Sequence, residues 1–245
     1  MDVSEDRMLG GRLTLRQPRE GYRAGIDAAL LAAACDAGDG ERVIEAGCGV
    51  GAALLAAAAR RPGARFTGLE RDGAMADLAA GNVALNGLGD RVDVIAGDIG
   101  APFSRFALSP FSAALANPPF FDDQARLRGP SPAKRGAWIA DDGLAAWIAF
   151  LTKAVREGGT ITLIHRADRL ADILGLLAPK AGSFQIRPIQ PFADSLAKRV
   201  LVRAIKTGKA PLTLLPALVL HDRAGGKHTE ETEAILRGEA ALEWR

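Results

Sequence analysis

From Arg42 onward, short apolar runs alternate with helix-patterned stretches, and few folds accommodate that alternation. Parallel neighbours need crossover connections, so the pattern predicts a parallel sheet with helices on both faces. Strands are expected over residues 42–46, 65–69, 91–96, 112–116 and 160–165, and helices over 52–60, 72–86, 142–157 and 168–177. Asp72 is placed to cap one helix and Gly87 to end it, while Gly158-Gly159 reads as the stop of helix 142–157. Residues 183–189 and 198–206 read as a terminal hairpin. The expected fold class is α/β: a doubly wound, mostly parallel seven-stranded sheet. Short additions flank it, a strand at 11–17 and a helix at 26–35 before, a strand at 217–221 and a helix at 230–237 after. Residues 1–245 are read as one domain, with an extension over 1–41, a core over 42–207 and an addition over 208–245.

Composition removes several classes of function. No apolar run approaches the roughly 18 residues of a membrane span, and the acidic start Met1-Asp2-Val3-Ser4-Glu5-Asp6 is unlike a secretory signal. Two cysteines, Cys35 and Cys48, offer no disulfide framework and read as packing residues, so a cytoplasmic location is expected. His165, His221 and His228 lack metal-ligand spacing and are read as surface or strand-end residues; no metal is expected. Trp138, Trp147 and Trp244 are read as packing residues.

Charge is distributed unevenly. Segments 7–25, 126–135 and 180–209 hold 16 of the 31 Lys and Arg but two of the 29 acids, a surplus of +14 against −12 on the remainder. If the three segments converge, they form a basic face for a polyanion. Arg12, Arg16, Lys134, Arg135, Lys198 and Arg199 are the candidate contacts to that polyanion.

Gly47-Cys48-Gly49-Val50-Gly51 follows a strand and opens a helix, where glycines let the backbone turn tightly and approach a ligand. Ala52 stands where a dinucleotide fingerprint requires its third glycine, which favours a ligand without a pyrophosphate. Glu70 and Asp98 fall at the ends of the next two strands, placed to accept from a ribose and from an adenine amino group. Asn117-Pro118-Pro119-Phe120 follows the fourth strand. The Asn117 side-chain oxygen and the Pro118 carbonyl can accept both hydrogens of one NH₂ group, and Phe120 offers a face on which a base can stack.

Over residues 42–206 the chain resembles the class I S-adenosylmethionine-dependent methyltransferases, and Asn117-Pro118-Pro119-Phe120 matches the (Asn/Asp/Ser)-Pro-Pro-(Tyr/Phe/Trp) signature of their amino-methylating members. Three flanking stretches are similar to the bacterial tRNA1(Val) adenine-37 N6-methyltransferase family: Gly11-Arg12-Leu13-Thr14-Leu15, Gly25-Ile26-Asp27-Ala28-Ala29-Leu30-Leu31, and Leu218-Val219-Leu220-His221 followed by Thr229-Glu230-Glu231. The resemblance implies that Gly47, Gly49 and Gly51 line the methionine part of the cofactor, Glu70 its ribose and Asp98 its adenine. Asp27 would lie near the amino-acid end, with Glu45, where Asp is commoner, and Asn117 completing the cofactor set. Asn117, Pro118, Pro119 and Phe120 would be the catalytic turn. The implied cofactor is S-adenosylmethionine, leaving as S-adenosylhomocysteine, and the implied partner is tRNA or another structured RNA with an exposed loop base. Two rival readings are methylation of a protein glutamine amide at N5 and a non-catalytic RNA-binding module on the same fold.

Overall fold

A computed structural model describes residues 2–21, 23–119, 143–223, 225 and 227–245. Eleven strands are present among them: β1 Val3–Met8, β2 Leu13–Pro18, β3 Arg42–Ala46, β4 Arg65–Glu70, β5 Val92–Ala96, β6 Phe111–Ala116, β7 Val155–Arg166, β8 Ala181–Gln190, β9 Arg199–Lys206, β10 Thr213–Leu214 and β11 Leu218–Val219. The α-helices are α1 Ile26–Ala33, α2 Ala52–Arg60, α3 Gly73–Leu85, α4 Leu144–Ala154, α5 Leu170–Leu177 and α6 Glu230–Arg237.

The main sheet has the order β10-β8-β9-β7-β6-β3-β4-β5, with β11 also on β8. Only β9 runs antiparallel to its neighbours, which aligns the carboxyl ends of β3 to β8 along one edge. Side chains on β3 alternate between two cores. Val43 joins Leu30, Leu31, Leu54, Leu55 and Phe66 on the face covered by α1, α2 and α3. Ile44 joins Ile148, Leu151, Ile173 and Leu177 on the face covered by α4 and α5. Two apolar faces on one sheet require helices on both, so the doubly wound expectation is met.

Four expectations change. The sheet has nine strands, not seven, because residues 213–214 and 218–219 each add a two-residue parallel rung to β8. Helix 142–157 is shorter: α4 ends at Ala154 and β7 begins at Val155, which pairs with Phe111. Gly158 (φ +72°) and Gly159 form an irregularity inside β7, not a helix stop. A Cβ at Gly159 would come within 2.9 Å of the Ser112 carbonyl on β6, so glycine permits this approach of strands. β1 escapes a periodicity search because it is charged; it pairs with β2 through ions, with Glu5 directly opposite Arg16 at 2.9 Å. Finally, the expected helix 168–177 starts later: its first two residues belong to a 3-10 turn, Ala167–Arg169, ahead of α5.

The β1–β2 hairpin is fastened to the sheet by α3. Asn82 and Asn86 lie one turn apart on that helix, and each amide behaves like a rung of a strand. Asn82 accepts the Arg16 N–H at 2.9 Å and donates to the Arg16 carbonyl at 2.8 Å. Asn86 does the same to Thr14, at 2.9 and 2.7 Å. The fully buried Asn82 also donates to the Val50 carbonyl at 2.9 Å, in the glycine loop. Asn82→Ala would leave three backbone groups, one buried and two part-buried, without their partner, so urea titration should register a loss of about 2–4 kcal/mol. A loss below about 0.5 kcal/mol would show that water replaces the amide.

Candidate functional site

The order β4-β3-β6-β7 places the reversal of winding between β3 and β6, because β3 feeds β4 on one side and β6 feeds β7 on the other. Open α/β sheets bind ligands in the crevice such a reversal leaves at the carboxyl edge. Ala46 and Ala116 are register partners, so Gly47 and Asn117 leave neighbouring strands at the same level. Adjacent strands lie about 4.8 Å apart, which puts the glycine loop and the Asn-Pro-Pro turn side by side. Asn117 is half-buried, Pro118 buried and Pro119 exposed. Phe120, the last residue of the motif, lies outside the described residues, as do Lys134 and Arg135.

Gly47, Gly49 and Gly51 have φ of +63°, +54° and +87°, the left-handed region where glycine carries no steric penalty. They serve different ends. At Gly47 a Cβ would collide with the Trp147 ring of α4, whereas at Gly49 it would meet nothing within 4 Å. Gly49 therefore opens onto space that no described residue fills, which leaves room for a ligand. Glu70, at the end of β4, fixes this loop: its carboxylate accepts the Gly49 N–H at 2.8 Å and the Asp72 N–H at 2.9 Å. Each carboxylate oxygen keeps a further lone pair for a ribose hydroxyl.

Glu45 is buried under the loop, and its Oε2 has no hydrogen-bond partner among the described residues. Burial raises its carboxyl well above the ordinary range, and the Glu70 charge adds to the shift. The Nε1–H of Trp147, whose benzo edge lies against Gly47, is likewise unpartnered among the described residues. The open position at Gly49 and an orphaned carboxylate oxygen on β3, the strand that leads into the loop, fit a polar ligand. Asp98 lies just past β5, accepting the Gly100 N–H at 2.8 Å with Arg71 3.9 Å away. The charge of Asp98 thus remains at the rim, on the strand next to Glu70.

The candidate RNA contacts fare differently. Arg12 donates to the carbonyls of Leu9 and Arg237, holding the hairpin turn against the end of α6. Arg16 pairs with Glu5 across the hairpin. Arg199 donates from Nε to Asp27 Oδ2 at 3.0 Å, so a candidate RNA residue and a candidate cofactor residue form one ion pair. Of the twelve cations in segments 7–25 and 180–209, six meet a carboxylate: Arg16, Arg19, Arg23, Arg199, Arg203 and Lys206. Arg187 is buried, donating to the carbonyls of Pro216 and Glu243. Along β9, moreover, Arg199 stands at the carboxyl edge of the sheet and Lys206 at the opposite one. These two segments do not merge into one basic face; segment 126–135 lies outside the described residues. Lys198 alone of the six named candidates is both described and exposed without an ion pair at the sheet's carboxyl edge.

His165 ends β7 at that edge and is 4% exposed, a buried strand-end residue and not a surface one. Burial lowers its imidazole from 6.5 to about 4, and the Arg169 charge assists. The unfolded chain therefore takes up this proton first, and the stability contribution present above pH 6.5 is lost as pH falls toward 4. His165→Gln should flatten that acid limb in urea titrations at stepped pH; an unaltered limb would assign the loss to other groups. For the loop, Gly49→Ala should fold with a penalty of about 1–2 kcal/mol for its backbone angle and lose S-adenosylhomocysteine binding. Gly47→Ala should instead lower the melting temperature further by displacing Trp147. Retained affinity in a folded Gly49→Ala chain would sink the cradle assignment.

Residues 23–128 match the sequence profile of the methyltransferase small domain family. The chain is 28% identical over 226 residues to a tRNA1(Val) (adenine(37)-N6)-methyltransferase from Porphyromonas gingivalis, covering 87% of each. It is also 28% identical over 184 residues to a release factor glutamine methyltransferase from Gloeobacter violaceus, covering 72% of this chain and 63% of that one. The chain thus spans less than two thirds of the Gloeobacter relative. Among solved structures, a "predicted O-methyltransferase" from Agrobacterium tumefaciens superposes with a TM-score of 0.73 at 28% identity, covering 88% of this chain and 98% of that one. The fold is that of the class I methyltransferases.

Proposed function

We propose that this chain, whose residues 23–128 match the methyltransferase small domain family, uses S-adenosylmethionine to methylate the exocyclic N6 of an adenine in tRNA. One observation carries the reading: the β3–β6 register sets the Asn117-Pro118-Pro119 turn beside a glycine loop already fixed for a ligand. Gly49 and Gly51 would line the methionine part of the cofactor, Glu70 its ribose hydroxyls and Asp98 its adenine. Asp27, held by Arg199, would face the amino-acid end, and Glu45 would lie beneath the loop. Bound there, S-adenosylmethionine supplies a methyl group activated by a sulfonium.

The chain's own task is to make a poor nucleophile react. An aryl amine delocalises its nitrogen lone pair into the ring. The Asn117 side-chain oxygen and the Pro118 carbonyl would accept its two N–H bonds, favouring a pyramidal nitrogen with the lone pair directed at the methyl group. Fixed acceptors and alignment then provide most of the acceleration, and no strong base is needed because the proton leaves after transfer. The buried Pro118 and the rigid Pro118-Pro119 pair keep the carbonyl from turning away.

Adenine is favoured over a glutamine amide because similarity to the Porphyromonas tRNA enzyme extends over 87% of both chains. The Gloeobacter glutamine enzyme supports the alternative, since an amide nitrogen can use the same clamp. A single domain working in the cytoplasm, with RNA as partner, completes the proposal. Labelled cofactor offered to separate pools of tRNA, ribosomal RNA, DNA and release factors, followed by nucleoside and peptide mass spectrometry, separates the readings. N6-methyladenosine in tRNA is expected, and methylglutamine alone would replace the proposal. Asn117→Ala should lower turnover about 10²–10³-fold with S-adenosylhomocysteine affinity nearly unchanged. A variant retaining most of its turnover would show that another group orients the nitrogen.

A further inference from the structure

β8 and β11 run in the same direction as β7, so the residues that follow them, 191–198 and 220–223, emerge at the edge that carries Asn117, with 227–229 returning beside them. Three strand spacings separate β6 from β8, about 14 Å, or about four stacked nucleotides at ~3.4 Å each. Four flat groups are piled there. The Arg223 guanidinium lies 4.2 Å from the centroid of the Phe192 ring. Phe192 and His221 are 5.5 Å apart at 47°, and His221 and His228 are 5.1 Å apart and stacked at 23°.

The pile is held in place from beneath. His221 Nδ1 lies 2.6 Å from the Lys227 carbonyl, which can only accept, so Nδ1 carries the proton. The Thr229 hydroxyl donates to the Val219 carbonyl at 2.8 Å. On the Phe192 side, Leu196 is 82% exposed, the most exposed large apolar side chain among the described residues. Lys198 follows it and is also exposed. An exposed leucine alone is ordinary. One at the tip of a loop, between a ring pile and a lysine and on the reacting edge, matches the wedges that enter nucleic-acid stacks.

We infer that this surface docks the single-stranded RNA beside the reacting base, Leu196 entering the base stack and the Phe192, His221, His228 and Arg223 pile carrying a neighbouring base. The inference rests on the RNA reading of the active site. Charge complementarity is local: Arg223 is already paired with Asp194 at 3.0 Å, which leaves Lys198 and Lys227 for phosphates. Recognition is therefore mainly by stacking, and two phosphate contacts on a single strand give a shallow log–log salt slope of about −1.4.

Fluorescence anisotropy of the full chain with S-adenosylhomocysteine and a labelled RNA hairpin carrying adenines in its loop tests this. Leu196→Ser and Phe192→Leu should each weaken binding about 5- to 150-fold, the range for losing one base stack. The salt slope and the calorimetric affinity for S-adenosylhomocysteine should not change in either. Leu196 is exposed, so its replacement leaves the fold intact even if that of Phe192 does not. Wild-type binding by Leu196→Ser, or no hairpin binding by the wild-type chain, overturns the inference. Variant-sensitive binding without adenine methylation would keep the docking surface and remove the adenine reading. Adenine methylation with an unaltered KM in both variants would do the reverse. Capture of a release-factor loop in place of the hairpin would overturn it in favour of a protein substrate.

Discussion

The Glu70 carboxylate, accepting from Gly49 and Asp72, and the Asn82 amide, donating to Val50, hold the 47–51 backbone from two sides. Hydrogen bonds to a charged group contribute about 1.5–3 kcal/mol each, so the Glu70 contact to Gly49 holds a loop in which Gly47, Gly49 and Gly51 are left-handed. Cys48 adds an N–H bond to the Leu69 carbonyl at 3.0 Å, binding the loop to the same strand. The loop's shape is thus set before any ligand arrives, which removes an ordering cost from binding. Asn82 also carries β2, so the hairpin and the loop share one anchor. A change in the hairpin can therefore reach the cofactor crevice through a single amide.

Electrostatics follow from the same economy of partners. Charges that are segregated along the chain are largely recombined by folding, as when Arg203 meets Asp36 and Arg199 meets Asp27. Surface pairs such as Arg19 with Asp2 add little stability. The half-buried Arg199 pair sits where it orients an acid at the edge of the crevice. The basic surplus consequently does not become a polyanion groove over the two described segments. Recognition of RNA would depend on stacking surfaces and a few exposed lysines, which gives selectivity for unpaired bases over duplex.

Much of the core was legible in sequence. Strands β3, β4 and β6, helices α2, α3 and α6, and the Asp72 cap lie within a residue or two of expectation. The glycine loop, Glu70, Asp98 and the Asn117 turn do meet at one edge, because the register of a parallel sheet carries every strand end to the same side. The misses share a cause. β1 is made by cross-strand ions, the start of β7 by a glycine irregularity opposite Ser112, and β10 by a two-residue rung. None of these leaves a periodic apolar trace. The Asn82 and Asn86 pair had a visible signal, two amides one turn apart on a helix, but nothing local named their partner.

By itself the sequence determined the parallel architecture and the placement of the glycine loop and the Asn117 turn directly after their strands, because periodicity and glycine placement are local and act within a few residues. Tertiary structure decided which charges remain available. Arg199 meets Asp27 across 172 positions and Asn82 meets Arg16 across 66. Pairings over such distances follow from packing, since a charge seeks whichever opposite partner the fold brings near it. It also decided that Phe192, His221, His228 and Arg223, scattered over two loops, form one surface. That outcome depends on β8 and β11 ending at a common edge, which only the assembled sheet fixes.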